Sequence, residues 1–186
     1  MLQFAAFHSA KSVLEFGCGT GAFGAKLMEI VPEDCRYVGI DISPNMVRIA
    51  RSRLAKWAGR TKIQLTEGSP HLPESDGALD RFVSNYVFDL LAPEYIAAVL
   101  DEANRVLAAN AKLCVVSLGH GSTAVSRIVT SLWEAVWKRK PEWVGGCRPL
   151  NLRALLPPTA WKVEHHATVV AFGVASEILI ACPCPE

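Results

Sequence analysis

The 186-residue sequence predicts a single α/β domain, a doubly wound sheet of seven strands that is mostly parallel and ends in an antiparallel hairpin. Three observations carry that expectation. Short β-branched runs alternate with longer segments of helical periodicity, the pattern of parallel strands joined by crossover helices. A glycine-rich stretch lies between the first run and the first helical segment, where a ligand-binding turn belongs in an open α/β sheet. The last two strand-like runs follow each other too closely for a crossover helix, so they must pair antiparallel.

Residues 12–16 (SVLEF), 36–41 (RYVGID), 62–67 (KIQLTE), 80–87 (DRFVSNYV) and 111–119 (AKLCVVSLG) read as the parallel strands. Residues 22–31 (AFGAKLMEIV), 44–58 (PNMVRIARSRLAKWA) and 93–109 (PEYIAAVLDEANRVLAA) read as the helices between them. Ser43-Pro44 supplies an N-cap followed by proline at the first helical position, and Val47, Ala50, Leu54 and Ala58 recur at helical spacing. Residues 161–174 and 176–183, separated only by Ala175, form the hairpin. Residues 122–150 intervene as a candidate substrate-facing insert. In it Trp133 and Trp137 stand one helical turn apart and Trp143 follows Pro141. The three rings either line a flat, greasy pocket or belong to a helix packed on the sheet.

Hydrophobic residues make up 51% and charged residues 20%, which favours a large apolar core over disorder. No repeat or linker divides the chain, so residues 1–186 are expected to form one domain. The absence of an apolar run of about 18 residues disfavours a membrane span. The opening MLQFAAFHSAK lacks the signature of a secretory signal, so a cytoplasmic location is expected. A net charge of +1 without a basic appendage gives no footing for nucleic acid. The six cysteines show no CxxC spacing, which points to free thiols and to no metal site. An oligomer is compatible with this composition, and its order is left open.

The stretch VLEFGCGTGAFG, Val13 to Gly24, holds four glycines and contains both GxGxG and GxGxxG spacings. Gly17, Gly19 and Gly21 remove side chains that would keep a ligand off the backbone. Gly19, Gly21 and Gly24 also satisfy a dinucleotide fingerprint, so a nicotinamide cofactor stays open on this pattern alone. Asp41 ends the second strand, within reach of ribose hydroxyls at the same sheet edge. Glu15 precedes the first glycine by two residues, where a pyrophosphate would meet a negative charge but an ammonium or sulfonium would be welcome. A terminal hairpin is foreign to a dinucleotide-binding half built of βαβ units. Asn85 closes the fourth strand at the same edge.

In chain order, EFGCGTG, Asp41, LTEGSPHLPE, LDRFVSNYVFDLL and ANRVLAANAKLCVVSLG resemble the motifs of the class I S-adenosylmethionine-dependent methyltransferases, near the type 11 small-molecule group. The resemblance runs over about residues 12–120 and implies a Rossmann-like fold, S-adenosyl-L-methionine as cofactor and methyl transfer to a small molecule by in-line displacement. It also implies roles. Glu15 and the backbone of Gly17 and Gly19 would hold the methionine part, with Cys18 and Gly21 in the same cofactor-binding turn; Asp41 would hold the ribose, Ile42 and Met46 the adenine face. The Asn85 carbonyl would take the cofactor's amino group. Ser69, followed by Pro70, stands where the family often carries an acid for the adenine amino group, so adenine selectivity is expected to be softer. Few residues precede Val13, leaving Leu2, Phe4 and Phe7 as cover, so weak cofactor affinity is expected unless a lid comes from elsewhere in the chain or its oligomer.

On the acceptor side, His120 just after the fifth strand is the best candidate for a general base, although a glycine-flanked loop histidine facing water is the commoner reading of such a residue. Asp89 and His71 lie at the same edge and read as cap or solvated groups. His165 and His166 alternate across a strand, so at most one faces any site. Lys138, Arg139 and Lys140 suit a helix C-terminus, and Arg148 is available to an acidic substrate group. Asn85-Tyr86-Val87-Phe88 lacks the prolines of enzymes that methylate exocyclic amino groups of bases. Two other functions fit the same turn: a cofactor-binding domain that is catalytically idle without a partner, and an NAD(P)-dependent oxidoreductase.

Overall fold

The computed structural model describes Met1 and residues 4–184. One sheet contains β1 (Ser12–Phe16), β2 (Arg36–Asp41), β3 (Thr61–Leu65), β4 (Leu79–Asn85), β5 (Leu107–Leu118), β6 (Trp161–Ala171) and β7 (Val174–Pro183), in the order 3-2-1-4-5-7-6. The first five strands pair in parallel, while β7 runs antiparallel to both β5 and β6. After β1 the chain builds outward to β2 and β3, then returns to the other side of β1 for β4. Successive turns therefore diverge between β1 and β4 and open a crevice at the strands' carboxyl ends.

Four helices, α1 (Ala22–Leu27), α2 (Pro44–Arg53), α3 (Pro93–Val106) and α4 (Ala124–Arg139), complete the architecture. Alternate strand residues feed two cores. Leu14, Phe82, Leu113 and Leu179 meet Ile96, Val99, Leu100 and Ala103 of α3 on one face. Val13, Tyr37, Val83 and Cys114 meet Leu27, Val47 and Ala50 on the other. The Ser43 hydroxyl accepts from the Met46 N–H at 3.4 Å, the predicted N-cap of α2. Thr123 and Ser126 cap α4 reciprocally.

The boundaries differ from expectation in four places. α1 ends at Leu27, followed by turns up to Pro32, which disfavours helical geometry at Val31. Helix α2 ends at Arg53 and a 3-10 turn covers Ala55–Trp57. The LAA stretch (107–109) expected to finish α3 belongs instead to β5: Leu107 pairs with Leu79, then the register shifts so that Lys112 pairs with Arg81. Asn110, at φ 68°, takes the left-handed turn that this shift needs. The hairpin turn is Phe172-Gly173 rather than Ala175, which is buried in β7. Both turn residues have positive φ, 51° and 80°, the two-residue geometry that matches strand twist.

The N-terminal residues cover the sheet and not the crevice. Phe7 is buried in the α1-side core, while Phe4 stacks on His165 of β6 with centroids 3.9 Å apart. Arg81 is buried and donates to the Ala5 and Ala6 carbonyls at 2.7 and 3.0 Å, tying that segment down. Leu2 lies outside the described residues. Among the described residues, no helix is long and apolar enough to cross a membrane.

Candidate functional site

A cavity of ≈ 580 Å³ opens at the β1/β4 switch point. That volume lies within the range of about 300–1,000 Å³ for small-molecule sites. Two walls of different construction enclose it.

The first wall comes from the β1 and β2 turns. Asp41 accepts from the Gly19 N–H at 2.8 Å through Oδ2 and from the Ser43 N–H at 2.9 Å through Oδ1. One carboxylate thereby joins the glycine turn to the start of α2. Each oxygen keeps a lone pair beyond the one it uses, and Asp41 lines the cavity, an arrangement that suits a pair of vicinal hydroxyls. Gly19 has φ 52°, and a Cβ there would meet no protein atom within 4 Å, so the bare backbone borders open space. Gly17, at φ 72°, is different, because a Cβ would collide with the Val87 side chain. Ile42 and Ser69 complete this side; Ile42 is 69% exposed, an apolar surface free to meet a planar ring. The loop bearing Ser69 is anchored to α3. Glu102 accepts from the Leu72 N–H at 2.9 Å, Arg105 donates to the Leu72 and Glu74 carbonyls, and the Tyr95 hydroxyl donates to the Gly68 carbonyl. Arg105 holds the Glu102 carboxyl down at about 2.

The second wall follows β4: Asn85, Tyr86, Val87, Leu90 and Leu91, with Tyr95 from α3. It is mainly apolar. Tyr86 takes φ 54°, and its hydroxyl meets Ser176 Oγ of β7 at 2.9 Å. Behind this wall lies the segment after α4. The Arg148 N–H donates to the Asp89 carbonyl at 3.0 Å, and its guanidinium donates to the Leu91 carbonyl. Trp133 and Trp137 donate from their indoles to the Cys147 and Gly146 carbonyls at 2.9 and 3.0 Å.

Of the residues predicted from sequence, Gly17, Gly19, Asp41, Ile42, Ser69 and Asn85 line the cavity. Glu15, Cys18, Gly21, Met46, Pro70 and His120 do not. Glu15 is 2% exposed and bonded to Tyr37 and Asn85, because its strand position points it into the core under the turn. Cys18 is buried against Gly39 and its thiol is pushed up to about 12 by burial, so it is packing and not a nucleophile. Gly21 caps α1 and lets α2 approach, since a Cβ would sit 3.1 Å from that of Ala50. His120 is half exposed, lies outside the cavity lining and pairs with Glu134 of α4 at 3.4 Å. Its rival, His71, pairs with Glu102 at 2.9 Å. The three tryptophans do not line the cavity either; Trp143 is exposed beneath Lys140, and the other two brace the wall from behind. Asp89 is no solvated cap: it is 1% exposed, and burial raises its carboxyl.

Sequence reading missed Tyr86, Thr66, Leu90, Leu91 and Tyr95 as lining residues. Tyr86 stood beside Asn85 at a strand end already assigned to the site, which was signal enough. Tyr95 was hidden in a helical pattern, and only the fold of the β3 loop gives it a partner.

Comparison with known proteins agrees with this geometry. Residues 13–110, more than half of the chain, match the family described as a methyltransferase domain. A demethylmenaquinone methyltransferase from Lactococcus lactis is 28% identical over 122 residues, covering 66% of this chain and 48% of that protein. An arsenite methyltransferase from Halobacterium salinarum is 33% identical over 113 residues, covering 60% and 28% of the two chains. The chain thus spans about half or less of the length of these curated relatives. A SAM-dependent methyltransferase structure from Methanosarcina mazei superposes with a TM-score of 0.77 at 16% identity, covering 100% of this chain and 97% of that one, which shows the shared fold. With the glycine turn and Asp41 inside the matched span, the chain belongs to the methyltransferase-domain family.

Proposed function

We propose that this chain binds S-adenosyl-L-methionine in the switch-point cavity and transfers its methyl group to a small, predominantly apolar molecule. The observation that carries this reading is the Asp41 carboxylate, held by the Gly19 and Ser43 N–H groups at the rim of the cavity. Its spare lone pairs fit a ribose diol. Gly19 lets the methionine part approach the backbone, while Ile42 and Ser69 meet the adenine by an apolar face and a hydroxyl.

When bound, the cofactor supplies an already activated methyl on sulfur. What remains for the protein is alignment and exclusion of water. Val87, Leu90 and Leu91 keep the acceptor end dry, and the Tyr86 and Tyr95 hydroxyls provide polar points for orientation. Among the described residues no histidine or lysine lines the cavity, a lining that favours catalysis by positioning over general-base chemistry. The relatives carry acceptor names as unlike as demethylmenaquinone and arsenite, so they do not choose an acceptor for this chain. The apolar second wall favours an organic one. We read the protein as cytoplasmic, working on a diffusible substrate and without nucleic acid.

Calorimetry with S-adenosylhomocysteine and NAD(P), followed by turnover of labelled S-adenosylmethionine across an acceptor panel, tests this reading. Saturable binding of S-adenosylhomocysteine with a labelled product is expected. Binding without turnover across the panel would favour a catalytically idle domain, and binding of NAD(P) alone would overturn the proposal.

A further inference from the structure

Behind the cavity, on the α1 face of the sheet, three polar side chains meet inside the core. The Tyr37 hydroxyl on β2 donates to Glu15 Oε2 on β1, and Asn85 Nδ2 on β4 donates to Glu15 Oε1 at 3.2 Å. Tyr37 and Glu15 are 1% and 2% exposed, whereas Asn85 lines the cavity. The cluster therefore joins a fully buried hydroxyl to a residue of the site wall through one carboxylate.

Tyr37 is an expensive choice for its place. Its ring packs in an otherwise apolar core with Phe7, Leu27, Met28 and Val47, where a phenylalanine would fill the same space without a polar atom to satisfy. A second position accommodates it: a Cβ on Gly24 would lie 2.5 Å from the Tyr37 hydroxyl, so α1 can cross there only as glycine. Two separate residues thus bring a hydroxyl to Glu15.

We propose that Tyr37 is a positioning residue of the cofactor site, acting through Glu15: by donating to one carboxylate oxygen it orients the other to hold the Asn85 carboxamide at the cavity wall. With Nδ2 committed to Glu15, Asn85 offers its acceptor side to a ligand, and the buried negative charge behind it favours a cationic one. This rests on the proposed S-adenosylmethionine site, whose ligand carries an ammonium and a sulfonium.

The groups facing Glu15 predict how the cluster responds to pH. Burial and, more weakly, Asp41 at the end of β2 bring its carboxyl up to about 7, against the two hydrogen bonds from Tyr37 and Asn85, which lower it. Cys18 in the turn adds no charge, its thiol being held up near 12. Because the folded value exceeds the ordinary one of 4.5, the folded apo protein holds a proton that the unfolded chain releases. Its stability is greatest below pH 4.5 as far as this group is concerned, and declines as pH rises through 7. A cation in the cavity favours ionised Glu15, so affinity should climb over the same interval.

The experiment measures S-adenosylhomocysteine and S-adenosylmethionine dissociation constants, with apo-protein melting temperatures, between pH 5.5 and 8.5 for wild type, Tyr37→Phe and Glu15→Gln. Tyr37→Phe is expected to weaken binding about tenfold at neutral pH, the loss of one hydrogen bond to a charged group, and to displace the affinity curve and the melting decline to higher pH. Glu15→Gln is expected to flatten both curves. Unchanged affinity and an unchanged pH midpoint in Tyr37→Phe would overturn the proposal, even if melting temperature fell. Should Tyr37→Phe not fold, flat wild-type curves overturn it, and sloping ones that Glu15→Gln flattens support it. If wild type binds neither ligand at any pH, the cofactor reading falls and this proposal with it; if wild type binds and Tyr37→Phe matches it, this proposal falls alone.

Discussion

The two walls of the cavity are built on different principles. The β1/β2 wall is made of short-range backbone geometry: positive-φ glycines and one carboxylate that satisfies two N–H groups within a few residues of strand ends. The wall after β4 is apolar and owes its position to distant parts of the chain, to Arg148 beneath Asp89 and Leu91 and to Ser176 beside Tyr86. A wall of the first kind suits a ligand common to a whole family. The second kind can change with whatever segment lies behind it, which suits the variable partner in a two-substrate reaction.

Substitutions can break that contrast. The largest expected effect is Asp41→Ala, which unpins Gly19 and Ser43 and deletes the ribose acceptor together; S-adenosylhomocysteine binding should weaken by about a hundredfold in calorimetry. Next come two glycines of the same turn with opposite signatures. Gly17→Ala should cost about 2–4 kcal/mol in urea unfolding, from positive-φ strain plus the collision with Val87. In Gly19→Ala the new methyl meets only open space, so stability should fall by about 1 kcal/mol while cofactor affinity falls more. If the two variants behave alike, the turn is not divided between support and contact as described.

Arg148→Ala addresses the other wall. It should cost about 1–2 kcal/mol of stability and impair acceptor use in steady-state kinetics, leaving the S-adenosylhomocysteine dissociation constant within about twofold. Equal damage to both ligands would mean that the walls are not independent. The smallest effect belongs to His120→Ala. An exposed pair with Glu134 is worth less than about 1 kcal/mol, and turnover with any accepted substrate should stay at the wild-type level.

The difference between the walls also explains what could be read before the structure was known. The place of Gly17, Gly19 and Asp41 at the cavity is legible because it depends on a strand followed at once by a turn, a local arrangement that spacing encodes. Ser43-Pro44 marked the start of α2 for the same reason. Glu15, expected at the cofactor, does not line the cavity: alternation along β1 turns it toward Tyr37, and only the pairing of β1 with β2 and β4 reveals its partners. His120 follows β5 as expected and lies outside the cavity lining, paired with Glu134, a contact that only the placement of α4 reveals. The hairpin was foreseen and its turn misplaced by a few residues, since Phe172 at positive φ runs against the expectation for a bulky residue.

Periodicity and turn chemistry therefore sufficed for seven strands, their mostly parallel sense and the residues of the glycine turn, all of which are encoded within a few neighbours along the chain. Tertiary packing was needed to assign the second wall, the bracing tryptophans and the Tyr37–Glu15–Asn85 cluster. Those depend on contacts between residues dozens of positions apart, where a side chain's role is set by what the fold places opposite it. VLEFGCGTGAFG accordingly names a turn on its own, and β2 and β4 on either side make that turn one wall of a site.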